Sequence, residues 1–213
     1  MLHLIGLTGE DASLPGVGSV RILAVDGAAL VVQDIPPDFG AETAQTLTEA
    51  LLAEAWGALC RLSETRDVLA FRFGQTVEDE DAARRVAREI GAAGMLAHGD
   101  VKGGEEWSLS FSARPGAEVA AGSYLAARAA ERRARLDLAE TAQAMLRDLD
   151  GPRRVSAAVT EEGAVGFQVL LPRGDRDDIL ERIGTSAEKA GLAARATGPQ
   201  PVLHFAPDPD DGE

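Results

Sequence analysis

Cysteine, aromatic rings and positive charge are all scarce in this chain of 213 residues. The single cysteine, Cys60, cannot close an internal disulfide or supply a zinc-ligand pair, which agrees with a reducing compartment and makes it a small buried apolar residue. Aromatics amount to 4% of the residues, too few to give single-stranded nucleic acid a row of stacking faces. Lys and Arg number 21 against 35 Asp and Glu, a formal net charge of -14, whereas phosphate recognition needs the opposite sign. Nucleic acid and anionic membrane surfaces are thereby excluded as general partners. No run approaches the ~20 apolar residues that span a bilayer. The opening stretch to Leu7 is short, has no basic start and leads into Glu10 and Asp11. A soluble, cytoplasmic protein is expected.

What is present is a globular composition: 45% of the residues are apolar, enough to build a core. At roughly a hundred residues each, the length suits two domains. Residues 2–7 form a short apolar strand closed by Thr8-Gly9-Glu10-Asp11. Two β-branched runs, 20–25 and 28–32, flank Asp26-Gly27, the dipeptide that supplies the positive φ angles of a two-residue hairpin turn. After Pro36-Pro37 a helix is predicted over 43–62, with Leu47, Leu51, Leu52, Ala55 and Leu59 on one face. Residues 68–73 read as a buried strand. Thr76 followed by Asp79 resembles a helix cap, with Glu78 to Asp81 where the helix dipole favours negative charge. That helix runs to about Ile90. The glycine-rich stretch 91–104 is expected to be an exposed loop or the domain junction.

Beyond it the expected order is strand 106–112, helix 117–149, strand 154–160, strand 165–171, helix 175–190 and an extended segment 192–205. This β-α-β-β-α-β order is the ferredoxin-like arrangement, an antiparallel sheet with two helices on one face. The fold class is therefore α+β: an N-terminal α/β domain (1–100), a ferredoxin-like domain (101–206) and a disordered acidic tail (207–213) punctuated by Pro207 and Pro209. Asp175 is placed to cap the last helix. A helix of thirty-odd residues at about 1.5 Å each outruns strands of ~20 Å, so part of it is expected to project. Its seam of Leu125, Ala129, Arg132, Leu136, Ala139, Gln143 and Leu146 has the spacing of a coiled coil, weakened by Arg132 and Gln143.

The reactive residue types form no constellation. His3, His98 and His204 are the only imidazoles, and none has a second histidine or cysteine at helical ligand spacing. Gly-x-Ser-x-Gly and Gly-Lys-Ser/Thr are absent. Gly16 and Gly18 begin a dinucleotide fingerprint, but Arg21 occupies the third glycine position between two strands. Glu78 to Asp81, and Asp175, Asp177 and Asp178, sit at helix starts and do not face one another across a pocket, as acid/base catalysis requires. No catalytic residue, metal or cofactor is expected. A small-molecule-binding regulatory module remains the competing class, since ferredoxin-like sheets often pair to enclose ligands.

Four stretches, in order, carry a family resemblance. They are Arg72-Phe73-Gly74 before the acidic helix start, Glu106-Trp107-Ser108-Leu109-Ser110, Ser123-Tyr124-Leu125-Ala126-Ala127-Arg128 opening the long Arg-rich helix, and Thr197-Gly198-Pro199-Gln200-Pro201-Val202-Leu203-His204-Phe205 near the end. Together they resemble the GvpL/GvpF family of gas vesicle proteins over about residues 2–205. The chain departs from the pattern at Ala70 for proline, at Gln75 for threonine, in the lack of Trp and Tyr in the closing segment, and in the lack of a histidine near Ala53 to Ala55. The resemblance implies a non-catalytic accessory protein that binds the small hydrophobic shell subunit and other gas vesicle accessory proteins during vesicle assembly. Arg72, Phe73, Tyr124 and Arg128 are the expected interaction residues. On a purely structural reading Phe73 fills the core, Gly74 permits a turn and Tyr124 packs under the sheet.

Overall fold

The computed structural model describes residues 1–14, 18–36, 44–113, 124–161 and 163–206, without the side chains of 44–48, 124–127 and 160–161. The expected acidic tail and the expected first turns of the long helix lie outside these residues. Two compact units are present: Met1–Glu105 together with the chain from Pro199 on, and Glu106–Gly198. Among the described residues no helix is long and apolar enough to cross a membrane.

The first unit opens with β1 (Leu2–Thr8), then the hairpin of β2 (Val20–Val25) and β3 (Ala28–Asp34). Val25 pairs with Ala28, so Asp26-Gly27 is the two-residue turn, and Gly27 takes the required positive φ of 74°. Next come α1 (Ala44–Ser63), β4 (Val68–Ala70), β5 (Thr76–Val77), α2 (Glu80–Glu89) and α3 (Ala92–Ala97). The sheet order is β2-β3-β1-β4, with β5 also pairing β1. Every residue of β1 is buried, because helices cover both faces of the sheet. Alternation sends Ile5, Val31, Val68 and Ala70 to one face, where they meet Ala55, Ala58, Leu59 and Leu62 of α1. Leu69 points the other way, toward α2 and α3, whose Ala83, Ala87 and Ala92 are buried. Gly6 lets β1 and β4 close up, since a Cβ there would stand 2.7 Å from the Leu69 carbonyl oxygen.

Three expectations are corrected here. The strand from 68 leaves the ladder after Ala70. Thr76 belongs to β5, and Asp79 alone caps α2, its Oδ1 accepting from the Ala82 N–H at 2.8 Å. The stretch 91–104 contains the helix α3, entered through Gly91 at φ 62°.

The second unit contains β6 (Gly104–Ala113), α4 (Tyr124–Arg147), β7 (Arg154–Val155), β8 (Val159–Glu161), β9 (Ala164–Pro172), a 3-10 turn (Arg173–Asp175), α5 (Arg176–Lys189) and β10 (Leu192–Gln200). Its sheet runs β10-β6-β9-β7, with β8 also on β9. Leu109, Phe111, Val165, Phe167, Val169 and Leu171 point into one core with Ala142 and Leu146 of α4 and Ile179, Ile183 and Ala187 of α5. The rings of Phe111 and Phe167 meet edge to face at 5.8 Å. Each fully buried Leu, Ile, Val or Phe contributes about 1.5–3 kcal/mol here.

The strand expected at 154–160 is broken in two. Val155 pairs with Val169 and Val159 with Gly166, so four steps on one strand oppose three on the other, the signature of a β-bulge. Ser156 stitches the break: its N–H donates to the Gln168 carbonyl and its Oγ accepts from the Gln168 N–H, both at 2.8 Å. Asp175 makes no side-chain cap to α5; the 3-10 turn runs straight into that helix. Along α4, each residue from Arg128 to Ala134 is exposed, and among the described side chains of the helix the buried ones are Ala142 and Leu146. Within the expected seam, Leu136 is 53% exposed while Leu146 is in the core.

Candidate functional site

Between β4 and β5 the chain makes a detour. Gly6 pairs with Ala70 and His3 with Thr76, so three steps along β1 face six along the other chain. The ends of the detour stay tied to β1, with Phe71 N–H donating to the Ile5 carbonyl at 3.0 Å and Leu4 N–H to the Gln75 carbonyl at 2.8 Å. Arg72, Phe73 and Gly74 are pushed outward. Gly74 sits at φ 101°, which only glycine adopts readily.

Inside the detour lies His3, only 3% exposed. Its Nε2 accepts from the Gly74 N–H at 3.1 Å, which places the imidazole proton on Nδ1, facing Gln33 Oε1 at 3.4 Å. Gln33 in turn donates to the Leu51 carbonyl at 3.1 Å and to Glu54 Oε2 at 3.2 Å. Glu54 also accepts from the Ser19 N–H at 2.8 Å and the Ser19 hydroxyl at 2.9 Å. Burial holds the His3 imidazole below its ordinary 6.5, against a smaller opposing effect of the Gln33 hydrogen bond. The Ser19 N–H, above all, keeps the Glu54 carboxyl below 4.5. The chain from Ser19 through Glu54 and Gln33 to His3 thus fixes a neutral imidazole under the detour.

Phe73 packs edge-on to the His3 ring, centroids 4.5 Å apart at 82°, and remains 44% exposed. The structural reading that Phe73 fills the core is therefore corrected: it lids a histidine from outside. Leu52, expected on the buried face of α1 but 43% exposed because the core-facing stripe is Ala55, Ala58, Leu59 and Leu62, lines the same small recess with Trp56. Arg72, also exposed, lines a cleft on the sheet's other side, toward α2 and α3. The sheet of the first unit extends past β4 at this point: Val202 pairs parallel with Leu69, donating to the Val68 carbonyl and accepting from Ala70 N–H, both at 2.9 Å.

Of the expected interaction residues, Arg72 and Phe73 stand together on the detour of the first unit, and Tyr124 and Arg128 lie one turn apart at the start of α4 in the second. The Tyr124 side chain falls outside the described residues; Arg128 is exposed. The final strand ends at Gln200, so His204 lies beyond it, exposed at the rim of the cleft, and not in a strand. Cys60 is half-buried, and burial pushes its thiol pKa up, which leaves it a weak nucleophile. Sequence reasoning set His3 aside. The signal lies in His3 and Gln33 interrupting the otherwise apolar interiors of their strands, but only strand register makes them partners. Among the described residues no group of three or more His, Cys, Asp or Glu is placed to hold a metal ion.

Two antiparallel sheets, the first sandwiched between helices and the second backed by them, define a two-unit α+β protein. A model of the gas vesicle synthesis protein GvpL/GvpF family matches residues 5–207, and the chain belongs to that family. Its fold is that of the solved gas vesicle protein GvpF from Anabaena sp. PCC7120, at TM-score 0.68 and 15% identity over 97% of this chain and 98% of that one. GvpF from Microcystis aeruginosa is similar, at TM-score 0.64 and 11% identity over 97% and 99%. No curated protein sequence matches the chain.

Proposed function

We propose that this protein is an accessory factor of gas vesicle assembly that holds the hydrophobic shell subunit and delivers it to the growing wall. The observation that carries this reading is the family match across residues 5–207. The physical logic lies in the charge. A net -14 on 213 residues keeps an adduct with a greasy, aggregation-prone partner dispersed, because like-charged complexes repel. The contacts belong to residues with apolar or bidentate character, the exposed Arg72 and Phe73 on the detour and Tyr124 and the exposed Arg128 at the start of α4. The ferredoxin-like second domain serves as the scaffold that carries that helix, and its exposed stretch from Arg128 to Ala134 offers a second surface to the shell subunit or to other accessory proteins. Its place of work is the cytoplasm, at the vesicle. No step of this role needs catalysis.

The test is co-expression with the shell subunit, followed by pull-down and by counting vesicles in cells lacking this gene. Retention of the shell subunit and loss or stunting of vesicles are expected. Failure to retain it, together with normal vesicles in the deletion strain, defeats the reading.

A further inference from the structure

The cleft beside Arg72 has a volume of about 500 Å³ and an apolar floor from Leu69, Val86, Ile90, Met95 and Leu203. This volume is within the range of ligand-sized clefts, roughly 300–1,000 Å³. Its charge is the opposite of the chain's. Acids outnumber bases 35 to 21 overall, yet among the described residues no Asp or Glu lines this cleft and Arg72 is the one formally charged residue that does. Among the described residues Arg72 has no ion-pair or hydrogen-bond partner, so its fork of N–H donors is available.

Those features select an occupant. A cationic segment finds no counter-charge here. A wholly neutral apolar segment would cover the guanidinium without giving it an acceptor, and a desolvated, unpaired cation is costly. An apolar segment that brings one carboxylate satisfies both, since Arg–carboxylate pairing can be bidentate and is stronger than a neutral hydrogen bond. The chain's own last residues, Pro207 to Glu213, supply carboxylates but no apolar side chain larger than proline for the floor. Resting on the assembly reading, we propose that this cleft seats an apolar, carboxylate-bearing segment of the shell subunit. Arg72 grips the carboxylate, and Val86, Ile90 and Met95 cover the apolar side chains.

The test uses the full chain, with methionine methyls labelled for NMR, and a set of overlapping synthetic peptides covering the shell subunit. Of the three methionines, Met95 lines the cleft and Met145 packs on the core of the second unit, so Met145 serves as the internal control. At least one apolar peptide containing Asp or Glu is expected to shift the Met95 methyl and leave Met145 unmoved. Changing that acid to its amide, or making Arg72→Glu, should each weaken binding about tenfold, the scale of one charge-assisted hydrogen bond. Arg72→Lys should recover part of the loss. Ile90→Asn, which makes the floor polar without adding a charge beside Arg72, should abolish the shift. If peptides or intact shell subunit bind equally well to Arg72→Glu and leave Met95 unmoved, the cleft is not the seat, and assembly proceeds through another surface. If neither peptides nor intact subunit bind at all, the assembly reading itself falls.

Discussion

Replacing His3 by glutamine should change the acid side of the stability curve of the first unit. Glutamine still offers an oxygen to the Gly74 N–H and an amide to Gln33, but it does not titrate, and it lacks the ring that meets Phe73 at 4.5 Å. Near pH 7.5 the wild type is expected to lead by about 1 kcal/mol, the worth of an edge-to-face ring pair. The sign of the pH effect follows from the lowered pKa of the buried imidazole. The unfolded chain takes up a proton as pH falls through about 6.5 and the folded one resists, so stability is fully present above that value and is lost below it, down to the folded pKa. The maximum slope is about 1.4 kcal/mol per pH unit, so up to ~1.4 kcal/mol disappears between about pH 7.5 and pH 5.5. The curves of wild type and His3→Gln should therefore converge or cross in that window. Glu54, the charged group that reaches His3 through Gln33, is held below 4.5 and stays ionised throughout, so its own loss of stability begins only at more acid pH. The assay is urea unfolding followed by Trp56 emission in a Trp107→Phe background, because Trp56 belongs to the first unit and Trp107 to the second. A gap between wild type and variant that stays constant from about pH 7.5 to pH 5.5 would refute the claim that burial keeps His3 neutral.

Two further substitutions test the local reasoning. Asp79→Ala removes the oxygen that accepts from the Ala82 N–H and should cost about 1 kcal/mol, seen as a lower urea midpoint for the first unit with an unchanged slope. Gly198→Ala places a methyl 2.6 Å from Cδ2 of Trp107, which a rigid ring cannot evade, so a loss of about 1–3 kcal/mol and a shifted Trp107 emission maximum are expected, whereas Gly94→Ala, with open space around it, should do neither.

The parts of the fold legible in the sequence were those set by local periodicity and turn chemistry. The Asp26-Gly27 hairpin forms in the expected register because a glycine at the positive-φ position of the turn and two β-branched runs specify it without outside help, although Asp26 itself keeps a negative φ. The element order of the second unit was legible for the same reason, since Ile179, Ile183 and Ala187 recur at the helical period and Val165, Phe167, Val169 and Leu171 at the strand period. The scarcity of aromatic rings, the excess of acidic over basic residues and the lack of paired His or Cys at ligand spacing were equally plain.

Tertiary packing decided the rest. No pattern in residues 154–160 announces the bulge, which exists because β9 offers one residue fewer than its partner must traverse. The six-residue α3 hid among glycines because so short a helix is held by the sheet it lies on and hardly by its own propensity. Arg72 and Phe73 stood out from their sequence neighbourhood. That one lines a cleft while the other lids a buried imidazole depends on three surplus residues between β4 and β5. Local sequence determined which segments become strand or helix, because propensity and turn geometry act over a few residues. It took strand pairing between distant parts of the chain to bring His3, Gln33 and Gly74 within hydrogen-bonding reach, since register is a property of two strands together and neither carries it alone.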